Sequence, residues 1–293
     1  PMGVEANADF AGIRQRITKL ADASPVFESV ARRREAKAVA AERNGDNVTA
    51  RDNYFMASVH WGAAQWPIDE NDAQNLFYNA KKRECYGHYA RLSDHRVEAD
   101  WMATGRACVD WLTRRREIDP ERIGINGLSF GTFFATIAAA HEPRIRAVAA
   151  TSVCHEPGFH SIFEEASPTF KMRFMYMSGY TDEAAFDEFR KTLTWEGHAQ
   201  RIRAPYLCLA GEWDELSPLK HTEALMRALR GKKRLVVYQE SRHSVGNVPA
   251  ANLGPFPPTL VADWMIATLN GKSFPSERWV VQPNGNVVKT PFK

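Results

Sequence analysis

The sequence predicts an α/β fold in which a mostly parallel sheet is flanked by helices. Three observations predict it. Residues 10–89 show helical signals and no convincing strand, and from residue 96 onward short apolar strands alternate with helices. Residues 155–203 lie between two of these strands and are too long for an ordinary crossover. We therefore predict a helical N-terminal domain at 1–95 and a sheet domain at 96–293, with a helical cap insertion at about 155–203.

The N-terminal third reads as a helical bundle. In SPVFESVARRREAKAVAAER, Ser24 is a candidate N-cap, Pro25 suits the first helical position, and Gly45 follows soon after the end. Two further helical stretches contain NYFMASVHWGAAQWP, which Pro67 terminates, and NLFYNAKKRECYGHYARL. The sequence predicts helices throughout this region.

The sheet domain is predicted from apolar segments separated by helices. An amphipathic helix, WMATGRACVDWL, precedes a strand at 123–126, and the buried helix FGTFFATIAAAH follows it. The next predicted strands are IRAVAATSV, PYLCLAG and RLVVYQE, which are apolar along their lengths, as strands buried on both faces are. The C-terminal RWVVQPNGNVVKTP predicts a hairpin or a docking tail, with Asn284-Gly285 at the turn.

One serine lies where the first of these strands turns into a helix. Ser129 is the centre of Gly127-Leu-Ser-Phe-Gly131, a G-x-S-x-G motif in the strand–turn–helix setting of a nucleophile elbow. The glycines would prevent side chains on either side from colliding with neighbouring backbone. The N–H of Phe130 would stand at a helix N-terminus and stabilise an oxyanion. The alternative is an ordinary turn with a capping serine.

A serine hydroxyl needs a general base, and the base needs an orienting carboxylate. His243 follows RLVVYQE, and the loop after PYLCLAG carries Asp214 together with the rival carboxylates Glu212 and Glu215. Both loops follow strands that run parallel to the strand before Ser129, so all three side chains should meet at one edge. We predict Ser129, His243 and Asp214 as the catalytic residues.

The cap is rich in Phe, Met and Tyr, which favours an apolar or aromatic carbonyl substrate. A helical lid that simply packs on the core would have the same composition. The candidate pocket residues are His155, Phe159, His160, Phe163, Met175 and Tyr176. A structural role is the alternative for the two histidines.

Composition and charge exclude several classes of partner. The net charge of +3 gives no reason to expect nucleic acid or an anionic membrane surface, and no apolar run approaches the length of a bilayer span. Neither metal-ligand spacing nor a phosphate-binding loop occurs, so we predict no metal and no cofactor. Four scattered cysteines in a chain without a secretion signal predict reduced, buried thiols and a cytoplasmic location.

The motifs GLSFG, GEWDELSP and ESRHS, in this order, resemble the α/β-hydrolase superfamily. NYFMASVHWGAAQWP, AKKRECY and EPRIRAVAA are similar to the branch of dihydropseudooxynicotine hydrolase, the fungal polyketide-shortening hydrolases and the fermentation–respiration switch protein. The resemblance implies an α/β-hydrolase fold, a Ser–Asp–His hydrolase that is often a homodimer, and a helical domain that contributes to the substrate cleft. It also implies cleavage of a carbon–carbon bond next to a ketone, or of an ester.

The sequence departs from this pattern in one respect. An α/β-hydrolase normally has about four strands before the elbow strand, and a loop among them supplies a second oxyanion-hole N–H. Here the interval before residue 123 contains little more than one helix. Either residues are missing near 95–101, or the sheet is truncated and the oxyanion hole is completed elsewhere. We favour the first explanation, because truncation would leave a long open edge.

The leading hypothesis is a serine hydrolase that cleaves a carbon–carbon bond beside a ketone in an apolar substrate. The alternatives are an ester hydrolase, an acyltransferase or cyclase of natural-product synthesis, and a non-catalytic binding protein on a hydrolase scaffold. The intact Ser/Asp/His set argues against the last of these.

Overall fold

The computed structural model describes residues 4–68, 70, 72–93, 101–166 and 168–292, without the side chains of 4–6, 101, 168, 169 and 176. The chain divides into two compact units. One comprises Pro1–Val97 with Met172–Thr181, and the other comprises Glu98–Lys171 with Asp182–Lys293. Part of the predicted cap therefore groups with the helical unit. The interval 95–101, where we predicted missing residues, lies outside the described residues except for the backbone of Trp101.

The first unit is helical, as predicted. Its helices are α1 (Val4–Arg16), α2 (Ala23–Arg43), α3 (Asn47–Gln65) and α4 (Ala73–Leu92). Helix α2 begins one residue before the expected N-cap, and Gly45 follows its end with a φ of +81°. Three large aromatic side chains, Tyr54, Trp61 and Tyr78, are buried among small residues at the centre of the bundle.

A buried carboxylate joins α1 to the bundle. Asp9 is 5% exposed and accepts hydrogen bonds from Arg34 (Nε–Oδ2 2.6 Å) and Arg33 (Nη2–Oδ1 2.7 Å). Arg34 also donates to Asn53 Oδ1 on α3 at 2.9 Å. Burial alone would raise the pKa of Asp9, but the hydrogen bonds and charge of the two arginines outweigh it and lower the pKa.

The second unit alternates helices and strands in the predicted order. Its elements are α5 (Trp101–Thr113), β1 (Gly124–Leu128), α6 (Gly131–His141), β2 (Ala147–Thr151), α7 (Pro168–Ser178, which groups with the first unit from Met172), α8 (Glu183–Arg190), β3 (Tyr206–Gly211), α9 (Leu219–Ala228), β4 (Lys233–Tyr238), α10 (Pro249–Leu253), α11 (Pro257–Leu269), β5 (Glu277–Val281) and β6 (Val287–Pro291). The described part of the predicted cap region contains the helices α7 and α8.

The described strands form one six-stranded sheet in sequence order from β1 to β6. The first five strands are parallel, and β6 pairs antiparallel with β5. Alternate residues of the buried strands supply two cores. Val148 and Ala150 of β2 pack on the face that α5, α6 and α9 cover, whereas Ala147 and Ala149 pack on the face that α10 and α11 cover. An α/β sheet with helices on both faces is confirmed.

The two edges of the sheet differ. At one edge, the predicted C-terminal hairpin is present, with Gly285 at its turn (φ +84°), and its first strand extends the parallel sheet. At the other edge, β1 pairs only with β2 among the described residues, and Leu128 is 66% exposed. Within the described part of the chain, the elbow strand therefore lies at the edge of the sheet, and the choice between missing residues near 95–101 and a truncated sheet stays open.

Three of the four cysteines, Cys85, Cys154 and Cys208, are buried thiols, as expected. The prediction was wrong for Cys108, because α5 presents it to solvent. Over the described ranges, His, Cys, Asp and Glu side chains form no group of three that could hold a metal ion. Within the same ranges, no helix is both long and apolar enough to cross a lipid bilayer.

Candidate active site

Ser129 occupies a strained turn between β1 and α6. Its φ is +53°, a region that residues with a Cβ seldom adopt. The turn is fixed on both sides, because Ser129 N–H donates to Thr151 O at 3.0 Å and Thr132 N–H donates to Ser129 O at 2.9 Å. The strand–turn–helix setting predicted for this serine is therefore present.

Steric crowding requires glycine at only one of the two glycine positions of the motif. A Cβ on Gly127 would lie 2.5 Å from Gly131 O and 2.7 Å from Thr132 Cα, so no side chain fits there. A Cβ on Gly131 would meet nothing within 4 Å. The prediction that a side chain would collide with neighbouring backbone is thus confirmed at Gly127 and wrong at Gly131. Gly131 is the first residue of α6, and a side chain there would point into open space.

The structure brings the three predicted catalytic side chains into one line. Ser129 Oγ lies 2.8 Å from His243 Nε2, and His243 Nδ1 lies 3.0 Å from Asp214 Oδ2 and 3.1 Å from Oδ1. Asp214 is 4% exposed, and His243 is partly buried. This geometry allows the imidazole to accept the serine proton while the carboxylate holds the opposite ring nitrogen.

The loop after β3 fixes the orientation of Asp214. Its Oδ1 accepts hydrogen bonds from the backbone N–H groups of Leu216 and Ser217, each at 3.0 Å. The rival carboxylates lie elsewhere. Glu212 accepts a hydrogen bond from Glu240 N–H at 3.1 Å, and Glu215 is exposed.

The loops that carry Asp214 and His243 come together at a glycine. A Cβ on Gly211, the last residue of β3, would lie 2.5 Å from Ser241 O and would also collide with Arg242 O. The approach is held by Trp213 N–H, which donates to Ser241 O at 2.9 Å. Only glycine permits this approach, which places the histidine loop directly over the carboxylate loop.

Two aromatic residues predicted for the pocket pack against the side chain that follows the nucleophile. Phe159 and Phe163 are buried, with ring centroids 4.5 Å and 6.4 Å from that of Phe130. They support the elbow by packing. His160 is exposed, with its Nε2 3.5 Å from Glu165 Oε1.

The two remaining pocket candidates lie on α7. Met175 is buried and groups with the helical unit. The side chain of Tyr176 lies outside the described part of the chain.

The environment of His155 favours the structural role that the sequence left open as the alternative for this residue. It has no exposed surface, and its ring lies between Thr222 Oγ1 (3.3 Å from Nδ1) and Tyr206 OH (3.4 Å from Nε2). Complete burial lowers its pKa to about 3, so the ring is neutral. A neutral imidazole enclosed between two hydroxyls has no access to a substrate.

Sequence reasoning missed two residues beside the nucleophile. Cys154 Sγ lies 3.9 Å from Ser129 Oγ, and burial raises the pKa of this thiol to about 12. It is therefore a neutral neighbour and does not compete as a thiolate nucleophile. Thr132 Oγ1 donates to Ser129 O at 2.7 Å. The position of Thr132 directly after the motif was the one available signal, and nothing in the sequence placed Cys154 here.

Comparison with known proteins places the chain in a family. The model of the prolyl oligopeptidase family, Peptidase S9, matches residues 102–252, which is about half of the chain. This range contains Ser129, Asp214 and His243. The chain belongs to the prolyl oligopeptidase family. Membership agrees with the α/β-hydrolase resemblance that the sequence motifs carry.

Individual relatives are distant. The chain is 27% identical over 187 residues to the lasso peptide isopeptidase AtxE2 of Asticcacaulis excentricus, covering 64% of this chain and 26% of that protein. It is 28% identical over 178 residues to 2,6-dihydropseudooxynicotine hydrolase of Paenarthrobacter nicotinovorans, covering 59% of this chain and 46% of that protein. These alignments with curated relatives span about a quarter to a half of those proteins.

Two solved structures of the family's fold match most of the chain. A structure of 2,6-dihydroxy-pseudo-oxynicotine hydrolase matches with a TM-score of 0.59 and 20% identity, covering 92% of this chain and 95% of that one. AbyA5 matches with a TM-score of 0.54 and 15% identity, covering 92% of each chain. These two structures confirm the α/β-hydrolase fold that the sequence predicted.

Proposed function

We propose that this member of the prolyl oligopeptidase family is a serine hydrolase of apolar carbonyl substrates in which Ser129, His243 and Asp214 carry the reaction. The observation that supports the proposal is the continuous contact from Ser129 Oγ to His243 Nε2 (2.8 Å) and from His243 Nδ1 to Asp214 Oδ2 (3.0 Å). The strained backbone at Ser129 adds support, because such strain persists where it serves a function.

In the proposed first step, Ser129 Oγ attacks the substrate carbonyl carbon as its proton passes to His243 Nε2. The carbonyl oxygen becomes an oxyanion, and the N–H of Phe130, at the start of α6, stabilises it. Asp214 stabilises the imidazolium through Nδ1–H. Collapse of the tetrahedral intermediate breaks the bond to the leaving group, which takes the proton from His243, and water then hydrolyses the acyl-enzyme by the same steps.

We further propose that the bond cleaved is a carbon–carbon bond next to a ketone. The grounds are the branch resemblance and the similarity to 2,6-dihydroxy-pseudo-oxynicotine hydrolase along nearly the whole chain. In a β-diketone, cleavage releases an enolate that the His243 imidazolium protonates. The products are one carboxylic acid and one ketone, with one water consumed.

The first experiment tests catalysis itself. A fluorophosphonate probe phosphonylates an activated serine, so it should label the wild-type chain at Ser129, and the Ser129→Ala variant should not react. Labelling of the wild type at Ser129 would exclude the non-catalytic binding protein. A wild-type chain that resists the probe would refute the proposed nucleophile.

The second experiment identifies the bond. An aryl β-diketone, an aryl ester and an aryl anilide that carry the same acyl group are compared, with Ser129→Ala as the blank. Turnover of the diketone to acid and ketone supports carbon–carbon cleavage. Turnover of the ester or the anilide without turnover of the diketone would exclude carbon–carbon cleavage and indicate an esterase or a peptidase. A product that joins the acyl group to an added amine or alcohol indicates an acyltransferase.

Two further features complete the proposal. The branch resemblance supports a homodimer, which sedimentation of the purified chain would test. The scattered cysteines, described as free thiols, support a cytoplasmic location, which imaging of a tagged full chain in cells would test.

A further inference from the structure

Two consecutive backbone amides lie between the nucleophile and its carboxylate. Because β2 lies between β1 and β3 in the sheet, the turn at Ser129 and the loop at Asp214 are separated by a whole strand. The chain beyond β2 fills that space. The Cys154 N–H donates to Thr132 Oγ1 at 2.9 Å, and the next N–H, that of His155, donates to Ser217 Oγ at 2.9 Å.

On the nucleophile side, the bridge ends at the backbone of Ser129. Thr132 Oγ1 accepts the Cys154 N–H and donates its own proton to Ser129 O at 2.7 Å. Thr132 has no exposed surface, so water does not replace either bond. The hydroxyl therefore ties the carbonyl of the strained residue to the chain beyond β2.

On the carboxylate side, the bridge ends at Asp214. Ser217 Oγ accepts the His155 N–H, and Ser217 N–H donates to Asp214 Oδ1 at 3.0 Å. Ser217 is 1% exposed. The carbonyl of His155 is fixed as well, because Trp195 Nε1 donates to it at 2.6 Å.

We infer that Thr132 and Ser217 are positioning residues that together set the separation of Ser129 from Asp214 through the backbone between Cys154 N and His155 N. The inference rests on the proposed serine mechanism. His243 must contact both Ser129 Oγ and Asp214 at hydrogen-bond distance, so a change in that separation lengthens one of its two contacts. A misplacement of about 1 Å is enough to lower a rate about a hundredfold.

A neighbouring threonine provides a matched control. Thr136 is one turn further along α6, has no exposed surface, and makes two hydrogen bonds of 2.7 Å, to Thr132 O and to Tyr206 OH. Its hydroxyl contacts neither Ser129 nor Asp214 among its described bonds. Thr132→Val and Thr136→Val remove the same group from equally buried sites, so a purely structural role predicts equal effects.

The test measures the rate constant of fluorophosphonate inactivation and, separately, the probe concentration for half-maximal rate. Thr132→Val should lower the rate constant about tenfold or more, leave the half-maximal concentration unchanged, and be rescued to within about threefold by Thr132→Ser. Thr136→Val should stay within about twofold of wild type. Ser217→Ala should also lower the rate constant, about five- to tenfold.

The double variant Thr132→Val/Ser217→Ala tests the shared bridge. If either hydrogen bond to the bridge is lost, the other no longer fixes the separation of Ser129 from Asp214. The fold reduction in rate constant for the double variant should therefore be smaller than the product of the two single reductions. Equal inactivation rate constants for Thr132→Val and Thr136→Val would overturn the inference, and so would a fold reduction in the double variant equal to the product of the single reductions. Neither result would overturn the proposed function as long as the wild-type chain is labelled at Ser129. If Thr132→Val does not fold, the inactivation rate constants of Thr132→Ser and Ser217→Ala are measured instead. A wild-type rate constant for Ser217→Ala would then overturn the inference.

Discussion

Replacing Asp214 by asparagine tests the proposed mechanism most directly, because the structure fixes how the new amide would sit. The backbone N–H groups of Leu216 and Ser217 both donate to Asp214 Oδ1. In Asp214→Asn, that position must remain an oxygen. The amide NH2 then occupies the position of Oδ2, which lies 3.0 Å from His243 Nδ1.

The consequence is a wrong histidine tautomer. Oδ1 lies 3.1 Å from Nδ1 but already accepts the two backbone N–H groups, so we expect Nδ1 to accept a hydrogen bond from the new amide and the proton of the neutral ring to move to Nε2. Nε2 lies 2.8 Å from Ser129 Oγ and would then donate to the serine instead of accepting its proton. The same tautomer change in a serine protease triad lowers kcat about 10⁴-fold, which corresponds to about 5.5 kcal/mol of activation free energy.

The assay is the rate constant of fluorophosphonate inactivation for Asp214→Asn, with Glu212→Gln and Glu215→Gln as controls that change the same charge in the same loop. We expect a loss of about 10³- to 10⁴-fold for the first variant and less than about threefold for the two controls. Circular dichroism melts of all three check that each is folded. A rate for Asp214→Asn within tenfold of wild type, or an equal loss in Glu212→Gln, would refute the assignment of the carboxylate.

Three further predictions concern stability and reactivity. Gly127→Ala should cost more than about 2 kcal/mol of unfolding free energy in urea, because its Cβ meets backbone, whereas Gly131→Ala should be neutral or stabilising by up to about 1 kcal/mol. At pH 7 iodoacetamide should modify Cys108 in the native chain and leave Cys154 unmodified, since burial raises the pKa of that thiol to about 12, and peptide mass spectrometry checks this. The folded-state pKa of Asp9 is lowered, so its contribution to stability is present above the unfolded pKa of about 3.9 and is lost as the pH falls through the folded pKa. In Asp9→Asn, the free energy of unfolding in urea should therefore decrease less than in the wild type between about pH 5 and pH 2.

The fold and the triad geometry were predictable because they depend on local pattern and on one topological rule. Apolar runs identified β1, β2, β3 and β4, and the parallel order of such strands places their following loops at one edge. This rule anticipated that Ser129, Asp214 and His243 would approach each other. Local pattern also selected Gly127 and the hairpin at Gly285, where backbone conformation or crowding demands glycine.

The sequence could not predict which side of a buried segment faces a cavity. His155 was a pocket candidate because it begins the cap, with a structural role as the alternative, and its side chain turns inward to Thr222 and Tyr206. Phe159 and Phe163 were pocket candidates because the cap is aromatic, and the structure shows that they pack around Phe130. Periodicity within one segment does not contain this information, since it depends on residues far away along the chain that pack against it.

The position of β2 explains why the proposed site needs more than its three proposed catalytic side chains. Parallel order brings the ends of β1, β3 and β4 to one edge, but β2 keeps the first of these ends a full strand away from the second. Strands in a sheet are about 4.8 Å apart, so the elbow and the carboxylate loop are about 10 Å apart across β2 and cannot support each other directly. His243 spans this distance only if both ends stay in place. The two amides beyond β2 hold them there with Thr132 and Ser217, so the strand that separates the catalytic groups also supplies the backbone that fixes their distance.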